Sequence, residues 1–135
     1  CLTTNTPHHN FFVRQIMNNC TEVSVIYETT SVVSPYPTHH SFEVKRDQYE
    51  RENWGHDCSE IDDKEIAYLD CVNNINQMAL NNKFELQADL CIVFGTRKIQ
   101  KKTIALLPTV TVNLHGGDPE LYRGLDSHLW SQWIT

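Results

Sequence analysis

The sequence predicts an α/β fold, a Rossmann-like three-layer domain with a mostly parallel sheet. Short β-branched runs alternate with helical apolar stripes, which is the order of βαβ units. One run, Ala88–Phe94, is almost wholly apolar, as expected of a strand buried on both faces. The length of 135 residues, 40% of them hydrophobic, suits one core. We therefore expect a single domain over residues 1–135, and we expect it to be a fragment, since residues 2–4 resemble a strand end and residues 131–135 stop within a helical pattern.

The first elements form a βαβ unit. After the strand that ends near Thr4, Thr6 is the predicted N-cap of a helix, and Pro7 takes the first helical position, where a missing N–H is harmless. The helix carries an apolar stripe of Phe12, Val13, Ile16 and Met17. The β-branched run Val23–Tyr27 is the second predicted strand.

The middle of the chain is read more coarsely. Pro35 and Pro37 mark a loop, and Glu43–Glu52 is predicted to be a charged helix with a solvated face. A capping-box pattern followed by a helical apolar stripe predicts a helix from about Glu60 to about Asn81.

The last third holds two further strands with a helix between them. Ala88–Phe94 is the third predicted strand, Lys98–Leu107 a short helix, and Val110–Asn113 the fourth strand. Segments 94–96 and 113–115 then follow two strands at their carboxyl ends, which is the edge where open parallel sheets bind ligands.

Charge and composition exclude several functions. A formal net charge of -6 argues against a nucleic-acid partner, which requires clustered Lys and Arg. No apolar run approaches the roughly 18 residues of a membrane helix. No Gly-x-Gly-x-x-Gly or P-loop pattern occurs among the 5 glycines, so NAD and ATP are not expected as cofactors.

Cysteines and histidines do not form a recognisable metal motif. The 5 cysteines form no Cys-x-x-Cys pair, and we expect reduced thiols, with Cys71 and Cys91 replacing small buried hydrophobes. The histidine pair 39–40 and the group 56–58 both lack a spaced partner cluster. No metal site is therefore predicted.

The most informative segment begins at Asn113. Asn113 and His115 lie two residues apart at the end of a β-like run, so their side chains point the same way. An amide that polarises a carbonyl and a titratable imidazole then face one pocket. Beyond a glycine-rich turn come Tyr122, Arg123 and Gly124, with Trp130 a few residues on.

This segment resembles the active-site motif of the folate-dependent formyltransferases, Asn-x-His followed by Tyr-Arg-Gly and an aromatic residue. The turn differs, because many relatives have Ser-Leu-Leu-Pro where this chain has Gly116-Gly117-Asp118-Pro119-Glu120. In that respect the chain is more similar to the sugar-modifying branch of the family. The resemblance is specific over residues 90–130, looser over 1–28 and only topological between them.

The resemblance implies an N-formyltransferase with N10-formyltetrahydrofolate as co-substrate. His115 would be the general base toward the acceptor amine, and Asn113 would bind the formyl oxygen. A family Asp that pairs with the His is expected after Thr135. The loop that would hold the pterin consists of Phe94, Gly95, Thr96, Arg97, Lys98 and Ile99. Its alternative interpretation is an ordinary strand-to-helix turn with Gly95 at a positive φ.

The start of the first helix is a candidate for contact with the acceptor or its phosphates. Helix N-termini attract anions, and His8 and His9 lie there; Tyr122 and Arg123 are also expected to bind the acceptor. The alternative for the histidines is a capped helix start with surface side chains.

The predicted acceptor is a nucleotide-linked amino sugar, and the enzyme is expected in the cytoplasm, with a homodimer only by analogy. Methionyl-tRNA and glycinamide ribonucleotide formyltransferases are the alternatives within the family. Two others lie outside catalysis by this family: a noncatalytic folate or nucleotide-sugar binding module, and a Rossmann-like domain without a folate link.

Overall fold

The fold is an all-parallel α/β sheet with the Rossmann-like strand order β3-β2-β1-β4-β5. The computed structural model describes residues 1–29, 42–80, 88–118 and 120–121. The strands are β1 Leu2–Thr3, β2 Ser24–Glu28, β3 Tyr68–Val72, β4 Leu90–Phe94 and β5 Val110–Leu114. The helices are α1 Pro7–Met17, α2 Phe42–Trp54, α3 Ile75–Leu80 and α4 Lys101–Ile104, with short 3₁₀ helices at Gly55–Cys58 and Asp63–Glu65. The predicted fold class is confirmed.

Two apolar clusters, one on each face of the sheet, make the three layers. On one face the buried residues are Val13, Val23, Val25, Tyr27 and Ile61, which join α1 to the strands. On the other face they are Leu2, Ile26, Ile75, Met78, Cys91 and Val93, which join α3 to the strands. Burial of both faces is what holds a parallel sheet together.

Helix α1 begins as the sequence predicts. Thr6 is the N-cap with extended backbone, and Pro7 follows at the first helical position. The Thr6 hydroxyl makes no capping hydrogen bond and instead contacts the imidazole of His9. The apolar stripe packs inward, with Val13 fully buried and Phe12 against the ring of Phe94.

The predicted helix from Glu60 to Asn81 is wrong. The carboxylate of Asp62 accepts a hydrogen bond from the backbone N–H of Lys64 and starts only a 3₁₀ turn. The chain then extends into β3, which pairs along all of β2. This pairing gives the backbone N–H and C=O groups on the outer side of β2 their hydrogen-bond partners. These long-range hydrogen bonds outweigh the helical tendency that the spacing of apolar residues suggested. The helix proper is only α3, whose start is capped by the Asn74 side chain.

The remaining elements agree with the sequence, with changes of extent. Strands β4 and β5 lie where they were predicted, whereas the helix predicted over Lys98–Leu107 is reduced to α4. Helix α2 matches the charged stretch, but its face is not wholly solvated because Glu50 is buried. Cys91 is buried as predicted, and Cys71 is exposed, contrary to the prediction. The loop predicted at prolines 35 and 37 lies outside the described residues.

Among the described residues, no helix has the length and apolar character needed to cross a membrane.

Candidate active site at the carboxyl edge of the sheet

The candidate site lies where the carboxyl ends of β1, β4 and β5 meet. Leu2 of β1 pairs with Val93 of β4, and the chain leaves these two central strands toward opposite halves of the sheet. Their outgoing loops diverge, and the point of divergence is where open α/β sheets bind ligands. Residues 4–6 follow β1 and residues 95–100 follow β4, with the His9 ring between Thr4, Thr6 and Gly95.

Strand β5 places Asn113 and His115 at this edge. Asn113 pairs with Val93 and Leu114 with Phe94, so the Asn-x-His pair lies next to the start of the loop after β4. Asn113 is exposed within the strand, and His115 is half-buried one residue beyond it. Two segments that the sequence places 20 residues apart therefore become neighbours.

The turn after β5 contacts Nδ1 of His115 and so indicates the tautomer of its ring. Its Nδ1 lies 2.8 Å from the carbonyl oxygen of Gly117, and a carbonyl can only accept. The Gly117 N–H approaches the same nitrogen at 3.4 Å, a longer and weaker contact. We assign the proton of the neutral ring to Nδ1, which leaves the lone pair on Nε2. An imidazole in this tautomer can accept a proton at Nε2, as a general base must.

The loop after β4 begins with a close approach of the Gly95 backbone to the side chain of His9. Gly95 has a φ of 71°, and a Cβ placed there would lie 2.0 Å from Nε2 of His9. Glycine is therefore required twice, for its conformation and for the space that the imidazole occupies. The positive φ is the conformation that the alternative interpretation, an ordinary strand-to-helix turn, assigned to Gly95. Whether the loop binds a folate stays a prediction.

The other loop residues have distinct surroundings. Phe94 packs its ring on His9, with centroids 4.4 Å apart. The hydroxyl of Thr96 donates to the carbonyl oxygen of Arg97 over 3.1 Å, and both residues are half-buried. Lys98 is exposed, and Ile99 packs against the core.

Two buried side chains bind the backbone of this loop. Glu28, 3% exposed at the end of β2, accepts hydrogen bonds from the N–H of Ile75 and of Arg97, at 3.2 and 2.9 Å. Asn76, 8% exposed in α3, accepts from the N–H of Gln100 at 2.8 Å and donates to the carbonyl of Lys98 at 3.2 Å. The loop is thus tied to β2 and to α3.

His9 is a buried neutral side chain rather than a phosphate-binding cation. Its ring is packed between Thr4, Thr6 and the loop after β4, with the Thr4 hydroxyl 3.1 Å from Nδ1. Burial disfavours the imidazolium and lowers the pKa of His9 to about 3, with the charges of His8 and Arg46 acting in the same direction. A neutral His9 offers a phosphate no net positive charge, and contact of His9 with the acceptor stays a prediction.

His8 already has an anionic neighbour. The buried carboxylate of Glu50 lies 3.0 Å from His8 Nδ1 and accepts the His8 backbone N–H at 3.2 Å. A side chain of α2 thus supplies the negative charge that the start of α1 favours. Contact of His8 with the acceptor stays a prediction, and a phosphate at this position has to compete with Glu50.

The described residues hold one group with the composition of a metal site, His8, Asp47 and Glu50, whose ligand atoms lie within 4.8 Å of one another. The Arg46 guanidinium already pairs with both carboxylates: it donates a hydrogen bond to Asp47 over 2.9 Å and lies 3.7 Å from the carboxylate of Glu50. A metal ion would have to displace this guanidinium, so the geometry favours an ion-pair cluster.

Of the metal candidates weighed from the sequence, the two described side chains His56 and Cys58 do not converge. Cys58 is buried, with its thiol directed at the carbonyl of Gly55, whereas His56 contacts the hydroxyl of Ser59 at the surface. Histidines 39 and 40 lie outside the described residues, as do Tyr122 and Arg123 of the predicted acceptor site.

Sequence reasoning missed Glu28, Asn76 and Glu50. Glu28 gave one usable signal, because a carboxylate that directly follows a β-branched run lies at the carboxyl edge of the sheet. Asn76 and Glu50 lie within helical patterns that do not distinguish them from solvent-facing residues.

No protein-family model, curated protein or solved structure matches this chain.

Proposed function

We propose that this chain is the catalytic domain of an N-formyltransferase that transfers a formyl group from N10-formyltetrahydrofolate to the amine of a nucleotide-linked amino sugar. One observation carries the proposal. The pairing of Asn113 with Val93 brings the Asn-x-His motif next to the loop after β4, at the ligand-binding edge of a Rossmann-like sheet. A carbonyl-polarising amide, a base and a backbone-lined loop are the parts that this transfer needs.

The chemistry assigned to each group follows from its atoms. The unprotonated amine of the acceptor attacks the formyl carbon, and the side-chain N–H of Asn113 stabilises the charge that develops on the formyl oxygen. His115 accepts the amine proton at Nε2. As the bond from the formyl carbon to N10 breaks, that proton passes to N10 and tetrahydrofolate leaves. The Gly117 carbonyl stabilises the imidazolium that exists between the two steps, through Nδ1–H.

The charge near the motif favours a small acceptor over RNA. The net charge of the chain is -6, and exposed Asp118 and Glu120 follow His115 in the turn. An RNA acceptor requires cationic contacts with phosphate, so methionyl-tRNA is the weaker alternative on this ground. Glycinamide ribonucleotide, with a single phosphate, is the closer rival.

The test uses the protein with N10-formyltetrahydrofolate and a panel of acceptors: nucleotide-linked 3-amino and 4-amino sugars, glycinamide ribonucleotide and methionyl-tRNA. Mass spectrometry detects a product heavier by one formyl group. We expect product with an amino sugar, loss of turnover by a factor of about 100 or more in His115→Ala, and full activity in the matched surface variant His56→Ala. Turnover retained in His115→Ala would refute the assigned base. Folate binding without product from any acceptor would favour a binding module.

A further inference from the structure

The loop after β4 has an unusual means of support for a strand-to-helix connection. The segment 97–100 has no helix or strand assignment before α4 begins, and only the Gln100 carbonyl joins the helix, where it accepts the Ile104 N–H. Its other backbone groups contact side chains from β2 and α3, two elements that precede β4 in the chain. Since backbone groups at a ligand edge can be satisfied by water, such dedicated partners need an explanation.

We propose that Glu28 and Asn76 are positioning residues that hold the loop after β4 in its ligand-binding conformation before the ligand arrives. Glu28 accepts the Arg97 N–H and the Ile75 N–H with its two carboxylate oxygens, and so links the loop to the start of α3. Asn76 acts from within α3 on both sides of Ile99, through the carbonyl of Lys98 and the N–H of Gln100.

The burial of these side chains makes the link stiff. Glu28 and Asn76 are 3% and 8% exposed, so water cannot readily replace either partner of a broken hydrogen bond. The Asn76 amide oxygen also accepts from the hydroxyl of Thr103 in α4, which is 1% exposed, over 2.9 Å. The loop, α3 and α4 thus share one polar network.

A ligand that binds mainly to backbone groups gains the most affinity from such a network. Recognition by N–H and C=O groups requires the directions of these groups to be fixed. A loop that is ordered for only a fraction of the time binds its ligand with an affinity reduced to that fraction. This role rests on the proposed function: the ligand would be the pterin part of the formyl donor. Glu28 and Asn76 would then act on donor binding without touching the donor.

The test combines two variants with two surface controls. Glu28→Gln keeps the shape but sets an NH₂ group against one of two N–H donors, and Asn76→Asp keeps the acceptor but loses the donor to Lys98. Glu22→Gln and Asn53→Asp make the same chemical changes at exposed positions. Hydrogen exchange of segment 95–100 is measured without ligand, together with KM for N10-formyltetrahydrofolate and kcat.

We expect faster exchange of the Arg97 N–H in Glu28→Gln. In Asn76→Asp a carboxylate faces the Lys98 carbonyl without a donor between them, so we expect faster exchange within segment 98–100. In both variants we expect the KM for the donor to rise about tenfold and kcat to change less than about twofold. A merely structural role would not separate KM from kcat. Unchanged exchange and unchanged KM in both variants would overturn the positioning role. Failure of the unmodified protein to bind the donor would instead overturn the proposed function, and exchange would still decide whether the two side chains hold the loop.

Discussion

Replacing Gly95 with alanine tests the close packing on which the candidate site depends. The backbone at Gly95 has a φ of 71°, and for a residue with a Cβ this conformation costs about 1–2 kcal/mol. The new Cβ would lie 2.0 Å from Nε2 of His9, so the buried ring has to move. Moving it breaks its contacts with Thr4 and Thr6 and costs about 1–3 kcal/mol more. We expect the free energy of unfolding to fall by about 2–5 kcal/mol.

The chain offers a matched control for the backbone part of this cost. Gly55 also has a positive φ, 56°, but a Cβ there would meet nothing within 4 Å. Gly55→Ala should therefore lose only about 1–2 kcal/mol. Urea unfolding measures the stability of both variants and of a double-mutant cycle that combines Gly95→Ala with His9→Ala. Removal of the imidazole relieves its contact with the new Cβ, so the coupling free energy isolates the cost of that contact. Equal losses in Gly95→Ala and Gly55→Ala, or a zero coupling with His9→Ala, would refute the reasoning.

Two further predictions concern buried polar groups. Because the pKa of His9 is lowered to about 3 in the folded chain, the unfolded chain binds the extra proton. The free energy of unfolding should therefore fall as pH drops from about 6.5 toward 3, by up to about 1.4 kcal/mol per pH unit from this group. In urea unfolding, His9→Gln should reduce that slope, whereas His56→Gln should leave it unchanged. The buried hydroxyl of Tyr27 donates to Asn10 over 2.7 Å, so Tyr27→Phe should lower the free energy of unfolding by about 1–2 kcal/mol. Tyr68→Phe, at the surface, should change that free energy little. Equal effects of the two substitutions would contradict the role of burial.

The elements that could be predicted from the sequence are those whose signal is local. The Thr6-Pro7 pair sets the start of α1 through capping and a fixed φ, which depend on adjacent residues only. Strands β2 and β4 are short β-branched runs, and their composition alone favours extended chain. These elements fix the strand order around β1 and hence the edge at which the site lies.

Strand β3 could not be predicted because its signal is not local. Ile66, Leu69 and Val72 are spaced by three residues, which fits one face of a helix as well as a strand. The choice is made by β2, whose backbone pairs with residues 68–72 in register. The amino-acid pattern of residues 66–72 carries no information about β2, with which they pair.

The same reason separates the two kinds of residue at the candidate site. Asn113 and His115 lie two residues apart in sequence and form a recognisable motif, because both come from one strand end. Glu28 binds a loop 69 residues away, and Glu50 binds a helix start 42 residues away.

This separation has a consequence for how substitutions should act under the proposed function. Groups on β5 meet the reacting atoms, so their loss removes interactions present only in the transition state and lowers kcat. Glu28 and Asn76 shape a surface that contacts the donor equally before and during reaction, so their loss raises KM with kcat little changed. The two sets of groups come from different strands, since β5 and β2 lie on opposite sides of β1. Under the proposed function, we therefore expect a kinetic split between the two sets of variants.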